Sequence, residues 1–164
     1  MSITSLRQDG VIFAADIPEE IDAILQEAVV LYEQTDQAEA TLKKAFSMAL
    51  ERLEVYIALY KFYFYKNRID DAEEIALKAL KEAARQGGFS SDWASLSVDS
   101  SQWTPATDVQ RFFLYTLKAL AFINLRKGNS LLADVLLKKL LELDPKDQVG
   151  GSVIQDLATG TAGE

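Results

Sequence analysis

Apolar residues recur at three- and four-residue intervals in six stretches of this chain, roughly 19–35, 37–50, 53–66, 70–86, 108–127 and 130–143. That spacing lays one apolar stripe along a helix and leaves the opposite face polar. The chain is therefore expected to be all-α, with its helices in three consecutive pairs. Local punctuation agrees. Pro18 followed by Glu19, Glu20 and Asp22 reads as a helix start, because proline suits the first turn and acids favour the positive end of the helix dipole. Asp70, Asp71, Glu73 and Glu74 mark another start, and Thr107-Asp108 reads as a cap for the long helix that follows. Asn67-Arg68 and Gly128-Asn129 supply turns, and Leu143-Asp144-Pro145 supplies a stop.

The pairs repeat. Ala38 and Ala72 lie 34 residues apart, and both fall early on the second helix of a pair. Ala133 takes the same place in the last pair, but 61 residues after Ala72, which is 27 more than the period. Three repeats result, 19–52, 53–86 and 114–147, with an insertion at 87–113, an N-terminal lead at 1–18 and a C-terminal tail at 148–164; residues 19–147 read as one domain. On the first helix of the middle repeat, Tyr56, Leu59, Tyr60 and Tyr63 form the stripe; on its second helix, Ala72, Ala76, Ala79 and Leu80 do so. The last repeat has Leu117, Leu120, Ala121 and Asn124, then Ala133, Leu137, Leu140 and Leu141. Small residues at 72 and 133 permit close helix approach. One pair cannot bury its own stripe, but stacked pairs can.

With these residues in register, the chain resembles the tetratricopeptide repeat family. That family has a large residue, Leu, a small residue and Tyr on its first helix, Gly at the turn, Ala early on its second helix and Pro at the exit. The first repeat departs most, with Asp22, Gln26, Val29 and Glu33 at four of these places. The resemblance implies an array of helical hairpins whose first helices line a concave groove for a partner protein or peptide. On the middle repeat, matched places are Lys61, Phe64 and Tyr65; on the last, Tyr115, Lys118, Phe122, Leu125 and Arg126. These make an aromatic groove dotted with bases, suited to aromatic anchoring and to pairing with acidic groups. Chaperone-binding members use a Lys and Asn clamp; here the matching first-repeat places are Ala23 and Glu27, so recognition of a chaperone C-terminus is not expected. The strings ALYKFYFYKNRIDDAEEIALKAL, ARQGGF and FFLYTLKALAFINLRKGN are also similar to small tetratricopeptide proteins of bacterial nitrogen-fixation gene clusters, which implies an accessory or assembly role.

The insertion carries Gly87-Gly88, several serines, Phe89 and both tryptophans, Trp93 and Trp103. So much buriable aromatic area predicts an ordered segment packed on the helices, and one that competes with a partner for the groove. The lead has an apolar patch, Val11–Ala15, expected to dock on the first pair. In the tail, 153–158 is expected to form a short capping helix, with disorder beyond Thr159.

Composition narrows the chemistry. The chain has neither cysteine nor histidine, which removes disulfides, thiol nucleophiles, thiolate metal sites and imidazole bases. No Gly-rich phosphate loop, nucleophile elbow or calcium-loop spacing occurs. The expectation is a protein that is not an enzyme and uses no metal or cofactor. A net charge of −8 argues against nucleic acid. No apolar run reaches the roughly 20 residues of a membrane span, and MSITSLRQDG lacks a signal-peptide core, so the expected location is the cytoplasm. Two readings stand beside the partner-binding scaffold: a module that self-associates through its aromatic excess, and an enzyme or small-ligand binder.

Overall fold

The computed structural model describes residues 18–163. The protein is all-α: seven helices and no strand occur among the described residues. They are α1 (Glu19–Val30), α2 (Thr35–Met48), α3 (Leu53–Tyr65), α4 (Ile69–Gly87), α5 (Asp108–Lys127), α6 (Ser130–Leu143) and α7 (Gly151–Gly163). The chain divides into two compact units, Met1–Ile75 and Ala76–Glu164. The apolar patch at Val11–Ala15 lies outside the described residues.

In the first unit α1 packs on α2, and α2 on α3. Ile21 and Ile24 of α1, Ala45 of α2 and Val55 of α3 form a buried core, closed by Leu25, Phe46 and Ala49. Helix α1 ends at Val30, earlier than its apolar pattern suggests, and Leu31–Gln34 form a turn. Tyr32 explains the shorter helix. Its side chain is buried from the turn, edge-on to Phe62 at 6.0 Å, and the Lys66 ammonium sits 4.0 Å from its ring centre. Helix α3 departs from a one-sided stripe: Val55, Tyr56, Ile57, Leu59, Tyr60, Phe62 and Tyr63 are all buried. Asn67 closes α3 at φ 62°, and Arg68 N–H donates to Tyr63 C=O at 2.8 Å, which satisfies a carbonyl the helix end leaves open.

In the second unit α5 and α6 form a hairpin, and α7 packs on both. The hairpin turn is Gly128 at φ 85°, with Asn129 N–H donating to Asn124 C=O at 2.8 Å. Asn124 is fully buried; its Nδ2 donates to Leu120 C=O at 2.8 Å, and its Oδ1 accepts from Asn129 Nδ2 of the turn at 3.3 Å. Helix α7 continues past Thr159 to Gly163, further than the ordered tail the sequence suggests. Its start is fixed by Asp147, whose carboxylate accepts from Ser152 N–H at 3.1 Å and Ser152 Oγ at 2.5 Å. Once nucleated, each further residue adds a backbone bond.

The insertion is ordered on this unit. Gly88, at φ 73°, turns the chain out of α4 so that Phe89 N–H donates to Ala84 C=O at 3.1 Å and its ring folds under Gly87. A Cβ at Gly87 would clash with that ring, so any other residue there must displace Phe89. Thr107 stands at the N-cap of α5, but its hydroxyl donates to Gln110 Oε1 and accepts from no backbone N–H.

Candidate partner-binding faces

The residues singled out from sequence fall into both units, and each set has its own setting. In the first unit Phe64 is half-buried and meets Tyr65 edge-to-face at 5.6 Å, and Tyr65 is 38% exposed. Lys61 differs from expectation. It was expected to point outward from the buried stripe, yet it is only 6% exposed, with its ammonium 5.9 Å from the Tyr65 ring centre. Helix α3 is covered around most of its circumference, so the lysine stem is buried along with its neighbours.

Close to these aromatics lies an ionic cluster that sequence reading passed over. Glu39 of α2 accepts from Arg68 Nη1 at 2.6 Å and from Tyr63 Oη at 2.6 Å, with Lys43 Nζ at 3.3 Å. Arg68 also donates from Nε to Asp71 at 2.9 Å and stacks 4.7 Å from the Tyr63 ring centre. Bonding to Arg68 holds the Glu39 carboxyl down at about 2 despite its burial. Burial, and then the hydrogen bond to Glu39, push the Tyr63 phenol up. The only sequence signal for this cluster was Arg68 in a turn; its partner is 29 residues away on another helix.

In the second unit α5 presents one partly open arc. Between Phe112 and Asn124, only Tyr115, Lys118, Ala119 and Phe122 are not buried; Arg111 and Leu125 are half-buried, and Arg126 is exposed. Lys118 Nζ donates to Val149 C=O at 2.8 Å and lies 4.7 Å from the Tyr115 ring centre. Burial lowers its pKa, against the attraction of Asp147. The segment that reaches Lys118 is therefore the α6–α7 connection.

The tryptophans separate. Trp103 is buried, with its ring 5.0 Å from Phe89 and 5.8 Å from Phe113 of α5, and its Nε1–H donates to Ser97 C=O at 3.0 Å. Trp93 is half-buried in a single 3-10 turn, Trp93–Ser95. The next residue, Leu96, is buried, and its carbonyl accepts from Lys139 Nζ of α6 at 2.5 Å. A second anchor went unread in the sequence. Asp144, 1% exposed, accepts from Gln148 N–H at 2.9 Å, Gln148 Nε2 at 3.0 Å and Val149 N–H at 3.1 Å. The Gln148 amide in turn donates to Trp103 C=O at 2.8 Å and accepts from Ala106 N–H at 2.9 Å. One buried carboxylate thus ties the α6–α7 connection to the insertion.

Chemically the faces offer rings and fixed charges. No group of three or more carboxylates placed to hold a metal occurs among the described residues. A shallow cleft of about 230 Å³ opens between α6 and α7, lined by Asp134, Leu137, Lys138, Gln155, Ala158 and Thr159. No described helix is long and apolar enough to cross a membrane.

These features define a class, an all-α protein of helical hairpins whose polar anchors are internal ties. Among curated proteins the chain is similar to the uncharacterized 19.8 kDa protein in the nifW 5′ region of Azotobacter chroococcum mcd 1. The two are 27% identical over 124 residues, which span 73% of this chain and 68% of that relative. No family model matches the chain, and no solved structure gives a significant match.

Proposed function

We propose that the protein is a non-enzymatic, tetratricopeptide-like scaffold that binds a segment of another protein. The observation that carries this reading is the partly open arc of α5, where Tyr115 and Phe122 stand among Arg111, Lys118 and Arg126. Rings and bases on one helical face suit protein recognition, and nothing in the residue inventory favours catalysis. The repeat reading is supported by Ala38, Ala72 and Ala133, each at the small-residue place of its repeat and each fully buried. Phe64 and Tyr65 of α3 form a separate candidate face in the first unit. The location of the Azotobacter relative in a nif region supports an accessory role in nitrogen fixation, carried out in the cytoplasm.

A pull-down from extract of the source organism, repeated with Phe64→Ala and Phe122→Ala, tests this. Loss of the same specific protein from either variant identifies partner and face together. Unchanged recovery with both moves binding off these faces. A second reading, self-association, is favoured by one feature of α6: Leu131, Leu132 and Val135 are 84%, 40% and 50% exposed on neighbouring turns. Light scattering at high concentration separates the two; a monomer mass counts against self-association.

A further inference from the structure

The open arc of α5 has a period. Arg111 and Lys118 are seven residues apart, as are Tyr115 and Phe122, each ring following its base by four. At about 1.5 Å per residue, the two bases stand about 10 Å apart along the helix with a ring between them. This seven-residue repeat is the one a second helix presents when it lies alongside. Helix α5 itself carries four bases, Arg111, Lys118, Arg126 and Lys127, and one acid, Asp108.

Arg111 is the telling residue. Its Nε is buried and has no hydrogen-bond partner among the described residues. A charged donor left unsatisfied in this way costs stability. Rotation of the guanidinium toward a carboxylate on the α5 face would satisfy Nε and one Nη together, in the side-on geometry that arginine favours. Lys118 has three donors and gives one to Val149, so it too has hydrogen bonds to offer.

We propose that the α5 face reads an acidic amphipathic helix of the partner, one whose carboxylates recur every seven residues to meet Arg111 and Lys118, with apolar residues between them to meet Tyr115 and Phe122. The proposal rests on the scaffold reading above and adds to it the chemistry of the partner. Charge complementarity selects the occupant: a basic or neutral helix would bring no carboxylate to the Arg111 guanidinium, whose Nε has no hydrogen-bond partner among the described residues.

The test uses the full-length protein and two synthetic amphipathic peptides of about three heptads, identical except that one carries Glu and the other Gln at the heptad charge positions. Binding is followed by fluorescence anisotropy. The Glu peptide is expected to bind, and the Gln peptide to bind about ten-fold more weakly or worse. Arg111→Gln is expected to lose about ten-fold in affinity for the Glu peptide, with partial rescue by Arg111→Lys, which keeps the charge without the fork. Far-UV circular dichroism of both variants shows that the helices are intact. Equal binding of the two peptides overturns the proposal and leaves the scaffold reading standing. So does Arg111→Gln binding as tightly as the parent. Failure of both peptides to bind also overturns it, and the pull-down then judges the scaffold reading independently.

Discussion

Glu39 shows how one side chain makes a small helical unit sensitive to acid. Its carboxyl titrates at about 2 in the fold against an ordinary 4.5, because Arg68, Tyr63 and Lys43 all favour its charged form. A depressed acid contributes stability that is fully present above its unfolded value and is lost as the pH falls toward the folded one. Glu39→Gln is therefore expected to flatten the loss of stability between about pH 4.5 and pH 2, measured by urea titration across that range. Gly87 is a steric counterpart. An alanine there must push Phe89 away from Trp103 and Phe113, an overpacking cost of about 1–3 kcal/mol. The better helix propensity of alanine offsets about 0.5–1 kcal/mol of it. The net expectation for Gly87→Ala is a lowered melting temperature, and an unchanged or raised one would show that the ring moves freely. Neither residue declared itself in the sequence: Glu39 needs a partner 29 residues away, and the ring beneath Gly87 depends on a turn at Gly88.

At the level of the helices, regular apolar spacing marks the elements. The boundaries of α5 and α6 at 108–127 and 130–143 match the periodicity. Gly128 and Asn67, picked as turn residues, both have positive φ. Gly128→Ala forces a side chain into the left-handed region and is expected to cost about 1–2 kcal/mol in a denaturant melt. What the pattern could not show was which polar residues lie inside. Lys61 looked like a groove base because lysine is usually exposed, yet α3 is covered on nearly every side. Asp144 looked like a simple stop before Pro145, yet it is a buried acceptor for three N–H groups. Asp144→Ala leaves those donors unpaired and is expected to cost about 2–3 kcal/mol. Hydrogen exchange should show the loss first at the amides of Gln148 and Val149.

Across the whole molecule, charge is divided unevenly. Residues 1–75 carry 15 acids and 7 bases, whereas residues 76–164 carry ten of each, so the net charge of −8 belongs to the first unit. The acidic N-terminal bias was legible from residue counts alone. The boundary between the units was not, because it falls inside the continuous α4. A neutral unit lacks the repulsion that keeps like surfaces apart, and the exposed Leu131 stripe lies on it. If self-association occurs, Leu131→Glu is expected to return the sedimentation coefficient to that of a monomer without lowering helicity. An unchanged coefficient would place the contact elsewhere.

The placement of the aromatic residues has a practical consequence. Both tryptophans, Trp93 and Trp103, belong to the second unit, while five of the six tyrosines belong to the first. The chain thus contains its own pair of optical probes. Emission excited at the red edge of the indole band reports on residues 76–164, and the environment of Trp103 beside Phe89 and Phe113 should dominate its shift on denaturation. Tyrosine absorbance reports mainly on residues 1–75. Recording both signals in one titration, without any label, would reveal whether the two units melt together or in sequence.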